Sequence, residues 1–324
     1  MSAVENLGYR PDPEFSRLMA SYRAGTPRSE ASTIAFVNCW PASLREGHPS
    51  EELNLYFQEA KKRADQFGYK LEEFSLREKS MPSKRLEKIL YARRIRGVLI
   101  PPIPDISPWV SPFEWNWDHF SLCTIGYSLQ TPRLNCVSTH HYHDILKVIR
   151  ICNEYGYRRL GLALGPTHDN RVEHLWLAGF SAYQCFIKNS QKVPILLTKG
   201  EHVNVGEFTE WVLKEKPDVI LTPQKRSLEW MQNMRLNVPE QIGIALLAVD
   251  ADDSITSGLK KNASFIASRA VDNIIAQINR GESGIPKSPV ISLIDATWSK
   301  GTTVRAVAEP QPLPLDGCPS KQEM

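Results

Sequence analysis

TIAFVN (residues 33–38) is a short apolar run, and it is followed by a helical pattern over 50–67 and then by KLEEFSL (70–76). In the middle segment Leu53, Tyr56, Phe57, Ala60, Ala64 and Phe67 recur at helical spacing, with Ser50 placed as an N-cap and Gly68 as the stop. Strand, helix, strand in that order is the unit of a parallel sheet, because parallel neighbours must be joined by a crossover long enough to hold a helix. The unit repeats outward. A helix predicted over 82–95, with proline in its first turn, leads to GVLIPPI (97–103), and SLCTIGY (121–127) continues the series.

HHYHDILKVIRICNEYGY (140–157) reads as a helix ended by Gly156, after which a second set of apolar runs begins: RLGLALGP (159–166), VPILLT (193–198), DVILTPQ (218–224) and IGIALLAVD (242–250). Helical patterns over 173–187, 205–215 and 226–236 separate them. FIASRAVDNIIAQIN (265–279) places Ile266, Ala270, Val271, Ile274, Ile275 and Ile278 on one helical face, and VISLID (290–295) adds one more strand. The expectation is an α/β protein of two Rossmann-like subdomains with parallel sheets. QPLPLDGCPSKQEM (311–324) is Pro-rich and aperiodic, and the tail over 309–324 is expected to be disordered.

The chain of 324 residues is long enough for two packed cores, and its 42% hydrophobic and 23% charged residues are ordinary for a globular protein. A net charge of +3 gives the body of the protein no bulk attraction for nucleic acid, so any DNA contact has to be local. The six cysteines contain no CxxC pair and read as reduced core thiols. No charged leader followed by an apolar stretch opens the chain, and no run approaches the roughly 18 apolar residues of a membrane span. A cytoplasmic protein is expected.

At the N-terminus, LGYRPDP (7–13) followed by EFSRLMASYR (14–23) reads as the end of one helix, a proline-flanked turn and a short amphipathic helix. Gly8 lies where a C-cap glycine belongs, and Pro11 and Pro13 hold the residues before them extended. VENLGYRPDPEFSRL (4–18) resembles the junction of headpiece and hinge in the LacI/GalR family of bacterial transcription regulators. SGLKKNASFIASRAVD (257–272) and ATWSKGTTV (296–304) are also similar to that family, so the resemblance runs over roughly residues 3–305.

The resemblance implies a type I periplasmic-binding-protein-like fold whose lobes are joined by three crossovers. Residues 31–155 and 265–288 would form the N-terminal subdomain, and 156–264 and 289–308 the C-terminal one. Residues 1–23 would be a remnant of the last headpiece helix plus the hinge helix, with 24–30 as linker. Leu18 falls where the family's hinge helix pushes a leucine between base steps, so Tyr9, Pro11 and Leu18 are the expected DNA-hinge residues. A helix-turn-helix needs three helices, and only about two turns can precede Gly8. Operator DNA is therefore an expected partner only with a complete headpiece, while a homodimer and a small-molecule effector are expected of the core.

Ligands of parallel α/β sheets bind at the carboxyl ends of the strands, which in a two-lobed protein means the interlobe cleft. NCW (38–40) follows the first strand: Asn38 can donate and accept, and Trp40 offers a face to a sugar ring or packs beneath the next loop. His140 lies where the family usually has a ligand-binding aspartate, and Trp176 where it commonly has a clamping arginine, with Arg171 a turn and a half earlier. Both charged members of that pair are replaced. The pocket then suits a neutral carbohydrate better than an acid or a purine, unless Trp176 is simply core. Asp250 matches an acidic residue that closes over ligand hydroxyls in the family, although with Asp252 and Asp253 it also reads as a solvated loop. Gln224 is the nearest substitute for an asparagine-aspartate pair the family has after DVILTPQ.

Rival readings are an enzyme, an extracytoplasmic sugar-binding protein and a ligand-free scaffold. No GxGxxG follows a strand, no GxxxxGK[ST] occurs, and GFSAY (179–183) lacks the second glycine of a nucleophile elbow. No catalytic residue and no cofactor is expected. Cys136, His140, His141 and His143 are metal-like in composition, and His140 and His143 could share one helical face, but a closed zinc site needs four ligands and a credible fourth is not in sight, so no metal is expected.

Overall fold

The computed structural model describes residues 32–40, 48–76, 82–104, 112–198, 200, 202–250 and 252–306. The expected hinge residues Tyr9, Pro11 and Leu18, the linker over 24–30, Cys318 and the tail over 309–324 lie outside them.

Two six-stranded sheets make up the core. In the first, β1 (Thr33–Asn38), β2 (Lys70–Ser75), β3 (Gly97–Ile100), β4 (Ser121–Ile125) and β5 (Cys136–Thr139) run parallel, with helices α1 (His48–Gln66) and α2 (Ser83–Ala92) as crossovers. The period-2 alternation of β1 explains why both faces are covered. Ile34 and Phe36 meet Tyr56, Ala60 and Ala64 of α1, while Ala35 and Val37 meet Leu86 and Leu90 of α2 on the other side.

The second lobe contains β6 (Leu160–Leu164), α4 (Pro166–Asn170), α5 (Leu175–Phe186), β7 (Leu196–Leu197), α6 (Val205–Glu215), β8 (Val219–Thr222), α7 (Ser227–Asn233), β9 (Gly243–Val249) and β10 (Gly258–Lys260). Its sheet order is β12-β10-β9-β8-β6-β7, where β12 (Thr297–Ser299) is antiparallel to β10 and the other pairs are parallel. Of VPILLT only Leu196 and Leu197 pair as strand, because β7 is an edge held to β6 at two positions.

Two expectations about lobe membership are corrected. Helix α3 (His141–Glu154), assigned to the first subdomain by its position in sequence, buries Ile145, Val148, Ile149 and Cys152 against β6, β8 and β9 of the second sheet. Gly179 permits this: a Cβ there would collide with Ile145, so only glycine lets α5 cross α3 so closely. The run VISLID, expected in the second subdomain, forms β11 (Ile291–Ile294), which pairs in parallel with β5 of the first sheet. The physical reason lies in the preceding helix. α8 (Ala263–Arg280) packs Ile266, Ala270, Val271 and Ile274 onto the first sheet, and the short connection after it delivers β11 to the edge of that same sheet.

The chain therefore crosses between lobes three times: at Thr139–His141, between β10 and α8, and at Asp295–Ala296 between β11 and β12. The cysteines also need one correction. Cys39, Cys123, Cys136 and Cys152 are buried thiols, but Cys185 on α5 is exposed.

Candidate functional site

The carboxyl ends of both sheets face one cleft, with a cavity of about 620 Å³. The first lobe contributes Trp40, Pro102, Tyr127, Ser138 and Thr139 from strand ends and Tyr56 from α1; the second contributes His168, Arg171, Trp176, Gln224 and Asp250. His141, at the first crossing, and Lys261, at the second, complete the wall.

Five of the seven sequence-nominated ligand residues thus meet at the cleft, and two do not. Asn38 is buried behind it. Its Nδ2 donates to Glu73 Oε1 at 2.9 Å and its Oδ1 accepts from the Trp40 amide at 2.9 Å, so it shapes the turn that delivers Trp40. His140 caps α3, with Nδ1 accepting from the His143 amide at 3.2 Å. That use turns His140 away from the cavity, toward His143 and the Asp295 carboxylate, which lies 3.0 Å from His143 Nδ1. The neighbouring His141 faces the cavity instead.

His141 is buried, and its ring meets Trp176 edge to face with centroids 5.2 Å apart. Burial, reinforced by Lys261 and His140 against the pull of Glu52, pushes its pKa down to about 3, so the imidazole is neutral at pH 7. His168 is held down to about 4 by burial and by His202, Arg171 and Lys261; its ring centroid is 5.5 Å from that of His202. Trp40 is fixed by Nε1 donating to the Pro102 carbonyl at 2.7 Å.

Both lysines of the wall are matched by carboxylates within the protein. Lys261 Nζ is 2.8 Å from Glu52 Oε1, which also accepts from Tyr56 OH at 2.9 Å. Lys225 Nζ lies 3.1 Å from Asp250 and 2.9 Å from Asp253. For Asp253, burial alone would raise the carboxyl pKa, but the Lys225 ammonium and the Thr256 amide and hydroxyl outweigh it and hold it well below the usual range. Arg171 Nη1 donates to the Ile103 carbonyl at 2.6 Å, and its guanidinium lies 5.6 Å from the Trp40 ring centroid. Among the described residues, Trp176 Nε1, His168 Nδ1 and Gln224 Oε1 are buried polar atoms with no hydrogen-bond partner; Gln224 Nε2 donates to the Val203 carbonyl at 3.3 Å. Aromatic faces with uncharged donors and acceptors between them are what a polyhydroxylated ring needs.

A second-lobe segment ties the lobes together. Besides Arg171, Glu173 Oε1 pairs with Arg133 Nη2 of the first lobe at 2.7 Å, and the Asn170 carbonyl accepts from Gln130 Nε2 at 3.2 Å. Glu173 and His174 have φ of 51° and 59°, and the turn is pinned by His174 Nδ1 lying 2.6 Å from buried Asp169 Oδ2.

Glu52, Tyr56, His141, His168, His202, Lys225 and Lys261 were not nominated from sequence. THDN follows β6 directly, so the strand-end rule already pointed at His168; Tyr56 read as part of an apolar helix face, which it also is. Cys136, His140, His141 and His143 do not converge. Cys136 Sγ donates to the Gly126 carbonyl at 3.2 Å, and burial raises its pKa to about 11. Among the described residues there is no group of three His, Cys, Asp or Glu side chains fit to hold a metal, and no helix long and apolar enough to cross a membrane.

No family model matches the sequence, and no curated protein matches it. Solved structures do match. The chain is similar to a LacI family transcriptional regulator CCPA from Weissella paramesenteroides with bound glucose, at 12% identity and a TM-score of 0.59, over 85% of this chain and 99% of that one. It is similar to a transcription regulator like protein from Staphylococcus haemolyticus, at 12% identity and a TM-score of 0.60, over 86% and 100%. A lac repressor dimer bound to operator and the anti-inducer ONPF matches at 17% identity and a TM-score of 0.60, over 94% and 88%. Two mostly parallel six-stranded sheets and these likenesses together give the chain the two-lobed α/β fold of the LacI-family sensor core.

Proposed function

We propose that this chain is the ligand-sensing and dimerising core of a LacI-like, cytoplasmic transcription regulator, and that it binds a small neutral carbohydrate between its lobes to control operator binding. It is not read as an enzyme. The observation that carries the ligand class is the aromatic wall: the rings of Trp40, Trp176 and neutral His141 line the cavity, while its lysines are paired, Lys261 with Glu52 and Lys225 with Asp250 and Asp253. A solved structure of the same fold is described with bound glucose, which supports a sugar-sized occupant.

In such a sensor, ligand and DNA are coupled through the lobe angle, and coupling requires that the ligand prefer one arrangement over the other. A thermal-shift screen of neutral mono- and disaccharides beside sugar acids and purines tests the reading, since a ligand at 100 times its Kd adds about 2.7 kcal/mol of stability. Stabilisation by neutral sugars is expected. Stabilisation by acids or purines alone would overturn the ligand class.

A further inference from the structure

The modest net charge hides an asymmetry. Residues 84–96 hold six basic side chains (Lys84, Arg85, Lys88, Arg93, Arg94, Arg96) against Glu87 alone, which is +5 in a chain whose total is +3. All six are exposed. They belong to α2 and to the turn that joins it to β3, so they lie on one side of the first lobe.

The end of that segment is set by the sheet. Thr33 pairs with Lys70, Ile34 with Gly97, and Gly97 with Ser121, so these residues mark the amino ends of parallel strands, at the pole opposite the cleft. Arg93, Arg94, Arg96 and Lys70 gather there. The chain also enters the first lobe at this pole, through Thr33.

An ordinary reason for cations at a helix end is the helix dipole, but that effect fades within the last turn. It does not account for this set. Arg93 spends its guanidinium on Glu72 at 2.7 Å, Arg94 and Arg96 lie beyond the helix, and Glu72 is a single carboxylate shared with Lys70 at 2.7 Å. Arg94 makes no side-chain hydrogen bond or ion pair among the described residues and holds φ of 55°, a left-handed turn that aims the chain into β3. Beside the arginines, Tyr91 is 61% exposed, with its ring centroid 4.5 Å from that of His119.

We propose that this pole of the first lobe, centred on Arg93, Arg94 and Arg96, docks on the phosphate backbone of duplex nucleic acid, independently of sequence and of what the cleft binds. Exposed arginines can each pair with a backbone phosphate, and each phosphate neutralised releases condensed counterions. An exposed tyrosine hydroxyl beside them adds a donor of the kind used for phosphate oxygens. The contact would be weak, orienting and strongly salt-dependent.

Fluorescence anisotropy of the full chain with a labelled mixed-sequence duplex, between about 50 and 200 mM salt, tests this. The Arg94→Asn, Arg96→Gln variant keeps a residue that tolerates the left-handed turn, and it should weaken binding while lowering the slope of log K against log salt by about 2. Lys188→Gln with Lys214→Gln, both exposed on the second lobe, should change neither. Two results would overturn the proposal: unchanged slope and affinity in the arginine variant, or binding of polyglutamate with the wild-type slope while the duplex fails to bind. The second would make the surface one for an acidic protein.

Discussion

Arg171 of the second lobe donates from Nη1 to the carbonyl of Ile103 in the first, at 2.6 Å, while its guanidinium lies 5.6 Å from the Trp40 ring centroid. One side chain thus holds a wall of the cleft and joins the lobes. A hydrogen bond from a charged donor contributes about 1.5–3 kcal/mol, the lower end applying to this half-buried site. Arg171→Ala should therefore shift the lobes toward a more open arrangement, read as a larger radius of gyration by small-angle scattering. An unchanged radius would mean that Arg171 does not restrain the lobe angle.

Arg133 and Glu173 make the second tie, and it should matter less. Arg133 is 60% exposed, and exposed ion pairs contribute about 0.2–1 kcal/mol. A double-mutant cycle on Arg133→Ala and Glu173→Ala is expected to give a coupling in that range, vanishing near 1 M salt. A coupling well above it, insensitive to salt, would show that the pair dominates closure.

The third crossing carries a pH dependence. Asp144 on α3 accepts from the Ala296 amide at 3.0 Å, and burial, aided by Asp295 and opposed by that amide, Lys147 and His140, raises its pKa to about 6. A carboxyl whose folded pKa is raised favours the folded state below its unfolded value and loses that contribution as pH rises through about 6. Asp144→Asn keeps the acceptor for Ala296 and removes the ionisation. It should raise stability by roughly 2–3 kcal/mol above pH 7, by about half of that near pH 5 and by little near pH 3.5, read from denaturant melts across that range. Equal effects across that range would contradict the assignment.

The cleft itself should be indifferent to mild acid. His141 and His168 are held to about 3 and about 4, so both stay neutral well below the ordinary histidine range. Because an unfolded histidine takes up its proton near pH 6.5, the folding stability these groups contribute declines as pH falls below about 6.5 and is fully lost only below about 3–4, while the folded imidazoles themselves stay neutral. Ligand affinity should accordingly stay flat between about pH 5.5 and 8, where an ordinary histidine would titrate. A tenfold change over that window would show that one of them binds protonated.

What could be read from residues alone follows from what each signal encodes. The apolar runs of β1, β8 and β9 and the face of α8 were legible because burial imposes a period on sequence. The sheet that takes Ile291–Ile294 was not, since an apolar strand carries no mark of its neighbour. At the cleft, His140 and His141 differ by one residue, about 100° of helix rotation, and the capping role of His140 decided which faced the cavity. The pairings of Lys261 with Glu52 and of Lys225 with Asp253 join residues far apart in sequence, so the matching of the two lysines was visible only in three dimensions.

The ligand class rests on Trp176, whose ring lies against His141 at the base of the cleft. Calorimetric titration of the wild-type chain and of Trp176→Ala with neutral hexoses, disaccharides and the corresponding sugar acids tests it most directly. The account predicts that a neutral sugar binds and that Trp176→Ala weakens it at least tenfold, about 1.4 kcal/mol. Binding of sugar acids alone, undisturbed in Trp176→Ala, would contradict it.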